Sequence, residues 1–150
     1  MTAKAMLDTN ILVYAYDRSE EKKQKAALRL LETLIGSGAG VVCTQVLAEF
    51  FVTVTRKITE PLTVEQASGR IKSFCQLWPV LEINEMIVCE AIRGVKEHHF
   101  SYWDAQIWAS ARLNQIGMIL SEDYAHNSLV EGVRFINPLL PDFDLKYITG

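Results

Sequence analysis

Cysteine is scarce in this chain: Cys43, Cys75 and Cys89 are the only three, odd in number, set among apolar residues and without a C-x-x-C pair. That pattern speaks against a disulfide framework or a thiolate zinc site, and for buried thiols kept reduced in the cytoplasm. Histidine is equally sparse, with His98 and His99 adjacent and His126 alone in a polar turn, so no H-x-x-x-H pair is present to hold zinc. The three read as surface or helix-end residues, with a substrate role left open for His98 or His99. A basic surplus is missing as well, since 15 lysines and arginines face 18 acids and leave a formal charge of −3. A nucleic-acid partner would then have to be met by a local basic surface or by bound cations rather than by bulk charge. No apolar run approaches the roughly 20 residues of a membrane span, and the N-terminus enters a strand without a secretory stretch, so the expectation is a cytoplasmic protein with no membrane association. The G-x-x-x-x-G-K-[ST], G-x-G-x-x-G and G-x-S-x-G patterns are all absent, which leaves nucleotide-binding and serine-hydrolase readings without their central parts.

What the chain does have is enough apolar material for a core. Its 150 residues, 49% of them hydrophobic, suit one domain spanning 1–150, of which about 138–150 form a C-terminal tail with apolar residues of its own. Short apolar runs at Ala5 to Leu7, Val41 to Cys43, Val80 to Ile83, Met118 to Leu120 and Val133 to Ile136 predict strands. Between them, helical spacing marks Ala27, Leu30, Leu31, Leu34 and Ile35, then Leu47, Phe50, Phe51 and Val54, then a segment from about Thr63 to Leu77. It recurs at Ile87, Val88, Ala91, Ile92 and Val95, and at Ile107, Trp108 and Ala111. Strand and helix mostly alternate, which predicts an α/β fold: a three-layer α/β/α sandwich around a mostly parallel sheet of four or five strands.

Four acids recur at the edges of these elements: Asp8 after the first strand, Glu49 within the second periodic helix, Asp104 at the start of an apolar helix, and Asp123 after the fourth strand. Each aspartate has an ordinary explanation. Asp8 and Asp123 can cap helices, the latter one over Tyr124 to Val130, and Ser101 with Asp104 matches the S-x-x-D form of a capping box. Glu49 is different, because it lies inside its helix where no backbone donor needs it; its bland reading is a solvated glutamate on the flank shared with Gln45, Thr53 and Arg56. Asp104 falls on the face of Ile107, Trp108 and Ala111, where a charge is costly unless it is paired or bound to a metal. Four carboxylates around one cleft repel one another, and a divalent cation reverses that sign. A set of hard oxygen ligands with no histidine or thiolate suits Mg²⁺ or Mn²⁺ and suits zinc poorly.

With these residues in view, the chain resembles PIN-domain proteins over essentially its whole length, and most of all the small bacterial toxin ribonucleases of the VapC type. The resemblance is carried by Asp8-Thr9-Asn10 after the opening strand, the helix glutamate Glu49, the block Trp103-Asp104-Ala105, and the strand end Ser121-Glu122-Asp123. It implies a parallel sheet sandwiched by helices, with Asp8, Glu49, Asp104 and Asp123 as catalytic residues and ligands for one or two Mg²⁺ or Mn²⁺ ions. The implied activity is endoribonucleolytic cleavage of RNA by the toxin of a type II toxin–antitoxin pair, with a cognate antitoxin as partner and a homodimer as the assembly. Asn10 and Ser121 are candidates for orienting a ligating carboxylate, with turn chemistry as their plain alternative. Arg18, Lys22, Lys23, Arg56 and Lys57 are candidates for RNA phosphate contacts; Lys25 more simply pairs with Glu21 one helical turn away.

Two other classes stay in play. One is a PIN-like scaffold that binds RNA or protein without cleaving it. The other is a receiver-like phosphoryl acceptor using Asp8, for which a second aspartate two residues on would be usual; Asn10 holds that place.

Overall fold

The computed structural model describes residues 3–149. The chain opens with strand β1 (Ala5–Leu7), buried at every residue, and turns at Asp8 into helix α1 (Thr9–Tyr14). Helix α2 (Glu21–Ser37) closes on Gly38, whose φ of 70° is the left-handed conformation that glycine adopts without a Cβ penalty. Strand β2 (Gly40–Cys43) runs directly into helix α3 (Thr44–Arg56). Helix α4 (Val64–Leu77) starts at a capping box formed by Thr63 and Gln66, and is followed by the two-residue strand β3 (Val80–Leu81). Helices α5 (Glu85–His98) and α6 (Tyr102–Leu113) pack on each other. Strands β4 (Met118–Leu120), β5 (Leu129–Val130) and β6 (Val133–Ile136) and the short helix α7 (Lys146–Thr149) complete the order.

The strands form one sheet in the order β3-β2-β1-β4-β6-β5, parallel throughout except for the antiparallel β5–β6 pair. Strands β1 and β2 are buried along their whole length, which requires cover on both faces and explains why they read as unbroken apolar runs. From β1 the chain order proceeds to β2 and β3 on one side and to β4, β6 and β5 on the other. The reversal lies between β1 and β4, and the crevice beyond the carboxyl ends of two such strands is where open α/β sheets gather ligands. Leu7 is in register with Leu120, so the residues following them, Asp8 and Ser121, emerge side by side.

Three expectations need correction. The sheet has six strands rather than four or five, because Leu129–Val130 pairs with β6; two residues with an exposed Leu129 carry no legible alternation. Tyr124 to Val130 is turn and strand rather than helix, so Asp123 caps nothing there. Cys75 and Cys89 are exposed, and only Cys43 is buried, because Phe74 and Ile87 take the inward positions and the helical turn carries their neighbours outward. The tail folds back on its own chain, with Ile148 buried and Leu139, Phe143 and Leu145 packed against the core.

Helix α6 is buried over Ala105 to Ala111, and its Trp108 ring lies against Gly94 of α5. A Cβ at Gly94 would sit 2.8 Å from Trp108 Cζ3. Gly94→Ala is therefore expected to lower stability by about 1–3 kcal/mol despite alanine's better helix propensity, read as a reduced melting temperature. An unchanged or raised melting temperature would show that the α5–α6 seam is loose.

Candidate active site

Asp8 sits at the crevice because β1 ends there and its extended backbone (φ −80°, ψ 161°) serves as the cap of α1. Its carboxylate accepts from the Thr9 amide at 2.8 Å and from Ser121 Oγ at 2.7 Å, while its own amide donates to the Leu120 carbonyl at 3.0 Å. Only 6% of the residue is exposed. Burial pushes the carboxyl up to about 7, with the charges of Asp123 and Asp104 adding to the rise and the bonds from Ser121 and Thr9 opposing it. The cap reading of Asp8 is thus met, by a carboxylate that also lies at the β1–β4 reversal.

Ser121, buried at the end of β4, is the hub of this crevice. Its hydroxyl donates to Asp8 and accepts from the Asp123 amide at 3.0 Å and from Asn10 Nδ2 at 3.3 Å. Asn10 makes no direct bond to the carboxylate and reaches it through Ser121. Its other amide atom, Oδ1, is buried with no hydrogen-bond partner among the described residues, as is Thr9 Oγ1. A buried acceptor left open is the kind of atom that a cation or its water satisfies.

Asp104 enters from α6, where Ser101 Oγ accepts the Asp104 amide at 3.3 Å. Burial, the largest influence, raises the pKa of the half-buried carboxylate; Ser101, which also hydrogen-bonds that carboxylate, lowers it, and Asp123 raises it further. Tyr124 OH donates to the Asp104 carbonyl at 2.8 Å and holds the helix start against the loop after β4. Asp123 is exposed, its position set by the amide bond to Ser121.

Glu49 lies further out. It is exposed on α3, accepts from Gln45 Nε2, and shares with Asp8 an electrostatic effect on the Cys43 thiol, which burial above all pushes up to about 11. The Gln45 amide also donates to the Trp103 carbonyl at 3.2 Å and accepts from Gln106 Nε2 at 2.7 Å, and Tyr102 OH donates to Gln106 at 2.7 Å. This amide chain ties α3 to α6, and sequence reasoning missed it; the signal available was a glutamine within a nearly all-apolar helix face at Gln106.

The crevice therefore brings Asp8, Asp104 and Asp123 into mutual electrostatic reach, with Glu49 at its margin. Among the described residues no three of these acids hold oxygens within 4.8 Å of one another; the only trio that close is Glu97, His98 and Glu131. That trio is already neutralised, with His98 Nε2 at 2.6 Å and Arg93 at 2.9 Å from Glu131, and Arg112 at 3.5 Å. Among the described residues the crevice acids form no ion pair, and a set of carboxylate oxygens without basic partners suits a hard divalent cation. Ligands of one Mg²⁺ lie at most about 4.2 Å apart, so three acids would not bind one ion directly without a side-chain rotation.

The basic candidates separate into two groups. Lys23 donates to Glu122 at 3.1 Å and to Tyr14 OH at 3.2 Å, and Tyr14 donates to Glu122, so this lysine is held in place beside Asp123. Arg18 pairs with Glu60 at 3.6 Å on the surface, and Lys25 with Glu21 at 3.2 Å as expected. Lys22, Arg56 and Lys57 are exposed and form no ion pair among the described residues.

Comparison with known proteins adds the following. A PIN-domain family model matches residues 5–131. The fold is similar to that of a chain in a toxin–antitoxin complex from Klebsiella pneumoniae (TM-score 0.66, 18% identity, covering 90% of this chain and 98% of that one). It is also similar to Mycobacterium tuberculosis VapC20, described as a Sarcin-Ricin loop cleaving toxin (TM-score 0.64, 17% identity, 87% and 99% covered), and to a chain of DNA-bound VapBC from Salmonella typhimurium (TM-score 0.61, 14% identity, 89% and 96% covered). No curated protein sequence matches this chain. Among the described residues no helix is long and apolar enough to cross a membrane.

Proposed function

The chain belongs to the PIN-domain family, and from that premise we propose that it is a divalent-metal-dependent endoribonuclease, the toxin component of a toxin–antitoxin pair. PIN domains are typically nucleases that use divalent metal ions. The observation that carries the reading is Asp8: a carboxylate at the β1–β4 reversal, destabilised in its charged form first by burial and then by Asp123 and Asp104, and with no ion pair among the described residues.

In this reading Asp8, Asp104 and Asp123 hold Mg²⁺ or Mn²⁺, with Glu49 contributing directly or through water, and the site takes one or two ions. When bound, the cation supplies Lewis acidity, lowering the pKa of a water and offsetting charge on the phosphoryl and leaving oxygens. The protein's own task is placement. Ser121 fixes Asp8 Oδ2 and the Asp123 backbone at once, and Asn10 fixes Ser121. Asp8 releases its proton as the site loads, so the group that binds is the carboxylate. Glu49, steadied by Gln45, stands at the exposed edge where the RNA backbone arrives. Lys22, Arg56 and Lys57, free of ion pairs among the described residues, are the better phosphate contacts, while Lys23 orders the loop of Glu122.

The experiment is cleavage of a panel of structured RNAs by purified protein, with Mg²⁺ or Mn²⁺ and with chelator. Discrete products that vanish with chelator are expected; retained RNA binding without products under all conditions would leave only a binding scaffold. Ser121→Ala is expected to weaken metal binding or activity by about 10–100-fold through loss of the Asp8 bond, and unchanged values would remove Ser121 from the machinery. The toxin role and a homodimer follow the family likeness. Light scattering at two chain masses and growth arrest relieved by the adjacent gene's product are the corresponding readouts. An exposed apolar stripe on α5, Val88, Ile92 and Val95, is available for self-association.

A further inference from the structure

We propose that the cavity beside Glu49 is a nucleobase subsite in which Trp103 stacks on one unpaired base of the RNA; the inference rests on the ribonuclease reading above. The cavity is about 550 Å³, within the ordinary range for a ligand pocket, and its walls include Trp103, Ile83, Ala48, Gln45, Gln106 and Glu49. Three features together select a base as occupant.

First, Trp103 is 63% exposed, whereas Trp78 and Trp108 are buried at 3% and 0%. One of three tryptophans is thus left with a surface available for stacking, at the opening of α6. Second, the cavity borders the margin of the acidic crevice. Glu49 lies in its wall and Trp103 immediately precedes Asp104, so a base held there belongs to a nucleotide next to the phosphate at the acids. Third, the polar groups around it suit a base rather than a phosphate. No lysine or arginine lines the cavity, and both amide protons of Gln45 are taken, one by Glu49 and one by the Trp103 carbonyl. The Gln106–Gln45 bond at 2.7 Å and the Tyr102–Gln106 bond at 2.7 Å fix that wall, while Ile83 and Ala48 supply apolar surface.

A base within a duplex is already stacked on both faces and cannot offer one to Trp103, whereas a loop nucleotide can. The substrate class that follows is RNA cleaved beside an unpaired nucleotide, with Trp103 setting the position of the cut.

The test joins steady-state cleavage to tryptophan emission. Trp103→Ala is expected to raise KM for a hairpin-loop RNA about 10-fold or more while kcat changes less than about threefold, and Trp103→Tyr should recover most of the loss. In chelator, a single-stranded RNA oligonucleotide should quench wild-type emission, and the same titration of Trp103→Tyr, which retains only the two buried tryptophans, should show little change. Cleavage with an unchanged KM in Trp103→Ala would overturn the subsite and leave the ribonuclease reading standing. Unchanged KM together with weaker association of Trp103→Ala with the adjacent gene's product would overturn it in favour of a protein interface. Absence of both cleavage and quenching with every RNA would remove the ribonuclease reading and the subsite together.

Discussion

Asparagine at position 8 is expected to reduce Mg²⁺-dependent RNA cleavage by more than about 100-fold and, in the same molecule, to make the metal-free protein more stable above pH 7. The first effect exceeds the 10–100-fold typical of losing a group that only orients a ligand, because Asp8 is proposed as the ligand itself. The second follows from its titration. Folding raises the Asp8 carboxyl from an ordinary 3.8 to about 7, chiefly by burial, so between those values the folded state holds a proton that the unfolded state has released. Stability of the metal-free protein therefore falls as pH rises through that window, and the full cost, up to about 4 kcal/mol, is present above pH 7. Asparagine has no proton to lose there. It keeps an oxygen to accept from Ser121 or Thr9 and forfeits one of the two bonds, which offsets roughly 1 kcal/mol. Thermal unfolding at pH 8 in chelator should show Asp8→Asn melting several degrees above wild type. A lower melting temperature would mean that the buried charge is well compensated by the protein alone, and the case for a cation would lose its main support.

The second large effect is the pH dependence of metal binding. Because a cation needs Asp8 ionised, its apparent affinity is expected to fall about tenfold per pH unit below 7 and to level off above it. Asp104, also raised by burial and by Asp123, acts in the same direction and extends the fall at lower pH. Binding near pH 6 should release about one proton per ion, visible as a calorimetric heat that changes with the ionisation enthalpy of the buffer. Mg²⁺ should accordingly raise the melting temperature more at pH 8 than at pH 6. An affinity flat from pH 5.5 to 8 would mean that the ion does not displace the Asp8 proton.

Much of this was legible in the sequence because burial on both faces leaves a plain signature. The apolar runs at Ala5–Leu7 and Met118–Leu120 lie in the middle of the sheet, and their ends predicted where Asp8 and Ser121 would stand. The strand that escaped notice, Leu129–Val130, is a two-residue edge with an exposed leucine, where neither alternation nor hydrophobicity is demanded. The capping readings hold for Asp8 and Ser101, and since Asp8 at the same time lies at the β1–β4 reversal, a cap and a place in the crevice are compatible. The Gln45–Gln106 link and the Tyr14–Glu122–Lys23 cluster join residues 61 and about 100 positions apart, and no local pattern announces such pairs. The exposed cysteines have a local reason, since Cys75 lies one position from inward Phe74 and Cys89 two from inward Ile87, and the 3.6-residue turn carries both thiols to the outer face.

The account's central claim is that the crevice acids, and not the closer-set Glu97, His98 and Glu131, hold the cation. Titration calorimetry with Mn²⁺ at pH 7.5 on wild type, Asp8→Asn and His98→Gln tests it most directly. The prediction is saturable binding by wild type, its loss or at least about 100-fold weakening in Asp8→Asn, and no change in His98→Gln. Undiminished binding by Asp8→Asn, or its loss in His98→Gln, would contradict the account.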